Sequence, residues 1–393
     1  MNKKITLSEI RAEIAAAAAH VNPIVQQVGD NPETGFCEAL AADLQCAFLE
    51  KIGFEVKKNI ANINTAFSGD YQACKDSAAP VVALLTEYDA LPQPLGHACG
   101  HQLIMGAGLL AVAALRNLME KYRIPGTLRA MGCPGEEQLG GKIFMLEDGA
   151  FEQVDIALLS HPFFRNGVTR NILAVTHYNL EFFGRSSHAS TAPELGINAL
   201  DAMTVFMNGI NAWRQQLPST ARVHGIITNG GTAPNVIPDY TSGFFYIRSA
   251  DNEYQKFMES RLKDIARGAA LIAGCDYKLE QRDASYSAGQ PNAVLADEAE
   301  KIMAEMNMDF SCNIKEPLST DFANVCDALA GVNIYFDVTN SEPLALHSVQ
   351  FRDAAARPEA LERTMDAAAV MTRLALDYLL DESLRQRVAQ AVK

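Results

Sequence analysis

Residues 81–122 read VVALLTEYDALPQPLGHACGHQLIMGAGLLAVAALRNLMEKY, and the order of signals along this stretch decides the fold class. VVALLTEYDA is an apolar β-type run that ends in acids, as a strand buried on both faces does when it leaves the core. A loop punctuated by Pro and Gly follows. GAGLLAVAALRNLMEKY then carries helical periodicity, and TLRAMGCP (127–134) returns as a second strand. Working outward, residues 35–51 read as a helix, and FEVKKNI (54–60) and NTAFSGD (64–70) as short strands. DIALLSHP (155–162) is another buried strand, ending in His-Pro. Strands alternating with helices imply an α/β fold: a mostly parallel mixed sheet with helices on both faces.

A different rhythm begins at residue 177. HYNLEFFGRS (177–186) alternates like a half-buried strand, GINALDAMTVFMNGINAWRQQL (196–217) has helical period, and VHGIITNGG (223–231) and SGFFYIRSA (242–250) are strands. NEYQKFMESRLKDIARGAALIAG (252–274) is a second helix and DYKLEQRDAS (276–285) a last strand. The order β-α-β-β-α-β is that of a ferredoxin-like α+β unit. Residues 177–288 are therefore expected to form an inserted domain, and 1–176 with 289–393 one discontinuous catalytic domain. The length of 393 residues agrees with two domains, since single cores stop growing at ~250–300 residues.

A formal net charge of −14 argues against nucleic-acid binding, which needs a basic face. No run of uninterrupted apolar residues reaches the ~20 of a membrane helix. The N-terminus superficially resembles a signal peptide, but Glu9, Arg11 and Glu13 fall where its apolar core should be. Thr6 and Glu9 resemble instead a capping box opening an amphipathic helix. The eight cysteines contain no CxxC pair and are expected to be mostly reduced, buried small hydrophobes in a cytoplasmic protein, Cys99 excepted.

Four polar clusters fall at strand ends or loops of the larger domain, where open α/β sheets bind ligands. TEYDALP (86–92) holds Glu87 and Asp89, acids that either orient a ligand or cap the next turn. GHACGHQL (96–103) holds His97, Cys99 and His101; thiolate and imidazole suit Zn²⁺, and the alternative is a buried Cys beside a capping His. GCPGEEQLGG (132–141) holds the Glu136–Glu137 pair. Adjacent carboxylates repel in a cleft unless cations are present, and the plainer reading is two solvated acids at a helix start. His161 ends LLSHP, and His347 follows the Pro-bearing loop in EPLALHSVQF (342–351). Together Cys99, His101, Glu137, His161 and His347 supply N, O and S ligands for two metal ions. A water bridging ions ~3.5–4 Å apart is acidified, and Glu136 takes its proton and returns it to a leaving amine.

DALP, GHACGH, GCPGEE, GRSSHAS (184–190), GGTAPNVIPD (230–239), STDFANV (319–325) and LHSVQF (346–351) stand in one order along nearly the whole chain. This pattern resembles the aminoacylase/carboxypeptidase superfamily of dinuclear metallopeptidases, most closely the indole-acetyl-amino-acid hydrolase and aminobenzoyl-glutamate hydrolase branch. The resemblance implies that Cys99 bridges the metals, that His101, Glu137, His161 and His347 complete the ligand set, that Glu136 is the general base, and that Asp89 orients a ligand. It implies that His188 polarises the scissile carbonyl in the site of a neighbouring subunit, hence a homodimer built through the insert, which doubles as a lid. It implies that Asn235 and Arg248 hold the substrate carboxylate; turn stabilisation for Asn235, a strand cap for His188 and a pair with Asp251 for Arg248 are the plainer readings. Two divalent metal ions are implied, Zn²⁺ or Mn²⁺, with Co²⁺ compatible with the same donors. Gln102 stands where many relatives carry Asp or Asn, and Leu103 and Ile104 where they often carry a second His. Phe163 and Phe164, after His161, line an acyl pocket or pack in the core.

The expected activity is hydrolysis of the amide bond of a small N-acyl or N-aroyl amino acid or dipeptide-like substrate. A cysteine-nucleophile amidase using Cys99 leaves the Glu pair and His347 without a role. A non-catalytic metal- or peptide-binding protein leaves Glu136 without one.

Overall fold

The computed structural model describes residues 5–74, 79–312, 314 and 318–392. The chain divides into two compact units, Met1–Asn171 with Gly289–Lys393, and Ile172–Ala288. In the first unit the chain lays down β1 (Glu55–Lys58), β2 (Phe67–Tyr71), β3 (Val81–Thr86), β4 (Thr127–Gly132), β5 (Ile156–Phe163) and β6 (Asn166–Val168). The second unit holds β7 (Ala174–Phe183), β8 (Ala221–Asn229), β9 (Tyr240–Ser249) and β10 (Asp276–Gln281). The chain then returns with β11 (Phe310–Ser311) and β12 (Ala330–Asp337).

The first unit's sheet runs β1-β2-β4-β3-β5-β12-β6-β11. Its centre is parallel: β3 pairs with β4 and β5, and β5 with β12. Its antiparallel pairs are β1–β2, β2–β4 and β12–β6. Every residue of β5 and β12 is buried, as strands covered on both faces require. The period of two sorts β3 cleanly. Val82 and Leu84 enter the larger core, under the helices Leu7–Asp30, His101–Tyr122 and Pro358–Leu380. Ala83 and Leu85 enter the opposite core, with Met145 of helix Gly141–Glu147 and Phe322 and Val325 of helix Phe322–Ala328.

The Thr6–Glu9 capping box is present and opens Leu7–Asp30. The central helix starts at His101, earlier than the GAG that signals it in sequence, so the second metal-ligand candidate sits on its first turn. It is long and apolar enough to cross a bilayer, but nearly all of it is buried inside the fold. The helix expected over 35–51 is shorter, Ala39–Lys51. Phe36 takes a left-handed φ of 62°, and Glu38 turns inward to accept from Thr65 Oγ1 at 2.9 Å and the Gly135 amide at 2.8 Å. All eight cysteines are free, but only Cys46, Cys99 and Cys133 are buried, fewer than their number led us to expect; Cys37 and Cys312 are exposed.

The second unit is a four-stranded antiparallel sheet in the order β10-β7-β9-β8. Helices Ala199–Arg214 and Asn252–Ala273 cover one face, closing a core of Leu180, Phe182, Phe206, Phe245 and Leu262. This is the β-α-β-β-α-β unit read from sequence. It begins at Ile172 rather than 177, because Ala174–Thr176 already pair with β9.

Gly100 joins the loop after β3 to the central helix at φ 78°, and a Cβ there would lie 2.6 Å from Pro162 Cγ. Gly100→Ala is expected to lower the thermal unfolding midpoint, losing about 1–3 kcal/mol from the left-handed backbone alone; an unchanged midpoint by calorimetry would refute this.

Candidate active site

The parallel strands of the first unit end together, and their loops bring the acids and imidazoles into one place. Asp89, just past β3, accepts from His101 Nδ1 at 2.9 Å with one oxygen and from the Glu137 amide at 3.0 Å with the other. One buried carboxylate thus ties the HACGH turn to the Glu136–Glu137 segment after β4. Because the carboxylate only accepts, His101 Nδ1 carries a hydrogen, and Nε2 is the atom left facing a ligand once its own proton is displaced. His161 is set the same way: Nδ1 donates to its neighbour Pro162 O at 2.8 Å, leaving Nε2 3.4 Å from Cys99 Sγ. His347 arrives from far along the chain. Its amide bonds the Ala98 carbonyl at 3.0 Å, its φ is 62°, and its Nε2 lies 3.2 Å from Glu137 Oε2.

These contacts assemble two donor triples, Cys99–His101–His161 and Cys99–Glu137–His347, each with its ligand atoms within 4.8 Å of one another. Cys99 belongs to both. Glu136 belongs to neither; with Glu87 and His101 it forms a third group, its Oε2 3.9 Å from His101 Nε2.

Residues 174–272 match the M20 peptidase dimerisation domain. The chain is 34% identical to the Xaa-Arg dipeptidase of Mus musculus over 338 residues, 84% of this chain and 78% of that protein. It is 36% identical to a p-aminobenzoyl-glutamate hydrolase chain of Escherichia coli K12 over 301 residues, 72% of this chain and 61% of that one. The chain belongs to the M20 family. A solved M20 dinuclear metal-binding peptidase from Bacillus subtilis shares the fold at a TM-score of 0.66 and 20% identity, covering 92% of this chain and 99% of that one. As an M20 member, this protein is a metal-dependent amidohydrolase acting on small N-acyl amino acids or dipeptide-like substrates.

The residues present fit a pair of M20 metal ions. His101 Nε2 and Glu137 Oε1 are buried without a hydrogen-bond partner in good geometry, an expense that a cation between them removes. The donor set of one thiol, three imidazoles and a carboxylate suits borderline divalent ions. Burial works against charge on His101, yet Asp89 outweighs it and raises the imidazole well above its ordinary value. Burial and then the His101 charge push His161 down to about 4, so its Nε2 lone pair is available. Burial opposes ionisation of Glu137, but His347 and His101 hold it below the usual carboxylate range. Glu136 goes the other way: burial, then Glu87, Asp321 and Glu137, raise it well above that range. Two adjacent carboxyls thus have opposite proton affinities, the division expected of a ligand beside a base.

The surroundings of Cys99 disfavour the cysteine-nucleophile reading. Burial and then Glu137 raise the Cys99 thiol well above its ordinary value, and its neighbour His161 is a poor base. An activated thiol needs the reverse.

In the second unit, GRSSHAS and APNVIPD lie side by side. The Ala189 amide bonds Asn235 O at 3.0 Å and the Ile237 amide bonds Ser187 O at 2.9 Å, so His188 and Asn235 share one exposed edge. His188 Nδ1 faces the hydroxyls of Ser190 and Thr191 at 3.2 and 3.1 Å. Arg248 stands on the sheet face away from the helices, with its guanidinium carbon 5.7 Å from the Tyr246 ring centre. Phe163 packs in a small core against Tyr335, and Phe164 is half-buried beside it under the Arg165 guanidinium.

Sequence reasoning gave no role to Glu38, Lys142 or Asp321. All three are fully buried close to the site. The motif STDFANV contains Asp321, but neither spacing nor composition announces a lysine with zero exposure.

Because His101 and Cys99 both hold protons without metal, ion binding must displace them. Calorimetric titration of metal-free protein in buffers of different ionisation enthalpy is expected to show proton release at neutral pH. Affinity should weaken by about tenfold per pH unit for each proton displaced as pH falls; a pH-independent affinity would contradict the site.

Proposed function

We propose that this protein hydrolyses N-acyl or N-aroyl amino acids with two divalent ions, Zn²⁺ or Mn²⁺, held by Cys99, His101, Glu137, His161 and His347, with Cys99 shared between them. The observation that carries this reading is the pair of donor triples that meet at Cys99. When bound, the two ions supply Lewis acidity toward the scissile carbonyl and acidify the attacking water. Asp89 fixes His101 in the tautomer that presents Nε2. Glu136, outside both triples and raised in proton affinity, takes the water's proton and returns it to the leaving nitrogen. Arg248 and Asn235 hold the substrate carboxylate; a guanidinium fork suits that group.

The reading includes a homodimer formed through the second unit. The matched family model is named for dimerisation. β8 is an edge strand, and Ile226 and Ile227 on it are exposed, a surface that invites a partner strand. His188 then acts across the dimer on the partner's substrate carbonyl. The first unit is the catalytic domain, the second a lid and dimerisation domain, and the compartment the cytoplasm. The hydrolase names of the relatives and the presence of Glu136 weigh against a purely binding role.

Metal analysis coupled to a screen of N-acyl amino acids and dipeptides, with and without chelator, is expected to find two ions per chain and activity that chelation abolishes. Glu136→Gln is expected to retain both ions while turnover drops by about 10²–10⁴-fold; normal turnover would remove Glu136 as the base. Mixing inactive His188→Ala protomers with inactive His347→Ala protomers is expected to restore activity, since a mixed dimer contains one complete site. Failure of a mixture shown to contain mixed dimers to regain turnover would refute the action of His188 across the dimer.

A further inference from the structure

Glu87, Lys142 and Asp321 form a buried cluster beside the site that neither the ligand set nor the base accounts for. Lys142 has zero exposure, and its Nζ lies 2.6 Å from Glu87 Oε1 and 2.6 Å from Asp321 Oδ1. Its backbone amide donates to Asp321 Oδ2 at 2.9 Å, so one carboxylate grips both the head and the main chain of the same residue. Lys142 sits at the exit of the turn that carries Glu136 and Glu137. That turn is closed tightly: the Leu139 and Gly140 amides both bond the Gly135 carbonyl, and a Cβ on Gly141 would lie 1.9 Å from Pro134 O. Asp321 and Lys142 therefore pin one end of the loop bearing the acids.

The other end of the cluster faces the metal donors. Glu87 spends Oε1 on Lys142 and holds Oε2 3.9 Å from His101 Nε2, the same separation as Glu136 Oε2. Glu87, His101 and Glu136 offer ligand atoms within 4.8 Å of one another. A buried ammonium between two carboxylates rarely out-stabilises a well-packed apolar residue of like size, so its retention points to what it holds in place.

We propose that Lys142 is a positioning residue: clamped by Asp321, it fixes Glu87 against the His101 side of the metal centre and sets the loop that carries Glu136 and Glu137. The chain Asp321–Lys142–Glu87 joins helix Phe322–Ala328, helix Gly141–Glu147 and the end of β3. The proposal rests on the metal reading above.

The test is calorimetric titration of metal-free protein with Mn²⁺ and with Zn²⁺, alongside kcat and KM on the best substrate found in the N-acyl amino acid screen. The variants are Glu87→Gln, Lys142→Met and the triple Glu87→Gln/Lys142→Met/Asp321→Asn. The triple variant removes all three charges at nearly constant volume, so it carries the test where Lys142→Met alone fails to fold. Affinity for at least one ion is expected to fall about 10–100-fold in each folded variant, the usual effect of losing a group that orients metal ligands. kcat is expected to fall with it while KM stays nearly constant. A folded triple variant with wild-type affinity for both ions and turnover within about threefold of wild type would overturn the proposal and reduce the cluster to packing. Wild-type protein that takes up neither ion would sink the metal reading itself, and this proposal with it; the control titration reveals that before any variant is compared.

Discussion

The organising constraint of this molecule is negative charge gathered where water is scarce. Glu87, Asp89, Glu136, Glu137 and Asp321 converge at the ends of β3 and β4 and on the loop before helix Phe322–Ala328, with Lys142 as the one buried amine among them in the described residues. An isolated carboxylate in such a place is strongly unfavourable. Gathered carboxylates in a low-dielectric place favour cations or protons among them. The fold tolerates the cluster because its remaining partners are built in. Asp89 is satisfied by His101 and the Glu137 amide, Glu38 by Thr65 and the Gly135 amide, and Asp321 by Lys142. His101 Nε2, Glu137 Oε1 and the Glu87 carboxylate oxygens are left without a hydrogen-bond partner in good geometry, which is the pattern expected beside a cation.

The layout of the sheet explains how residues so far apart in sequence reach one spot. Parallel strands place their carboxyl ends on one edge, so the loops after β3, β4 and β5 share a rim. The first supplies Glu87, Asp89, Cys99 and His101, the second Glu136 and Glu137, and the end of β5 supplies His161. His347 joins by a backbone bond to Ala98 rather than by strand geometry, and it takes a left-handed φ to do so. That strain at a non-glycine residue is the kind that persists where a side chain must be aimed.

How much of this was legible in sequence follows from what each signal depends on. Periodicity reports which faces are buried, so β3, the central helix and the whole β-α-β-β-α-β unit could be read from residue order alone. Motifs report chemistry, so Cys99, His101, Glu137, His161 and His347 could be named before any contact was known. Neither reports the burial of a polar side chain. Lys142 follows two glycines at the start of a short helix and looks like an ordinary surface lysine; only the fold shows Glu87 and Asp321 closing on it. The helix start at Ala39 was missed for a similar reason, because Glu38 turns inward to meet Gly135, nearly a hundred residues away in the chain. The cysteines were over-assigned to the core because their average preference for burial says nothing about a particular one.

The position of Cys99 shows why protons and metals are two descriptions of one site. Without cations its thiol is raised by burial and by Glu137, and His101 is raised by Asp89, so the metal-free centre holds protons on two of its would-be ligands. A residue shared by both donor triples gains the most from ionising when both ions are present and loses the most when neither is. The acid doublet makes the same point from the other side. Glu137, next to His347, gives up its proton readily, whereas Glu136, facing Glu87 and Asp321, keeps it. Two neighbours in sequence are driven apart in chemistry by which loops they face. That separation, rather than the presence of two acids, is what suits one to the ligand role and the other to the proton-transfer role proposed for them.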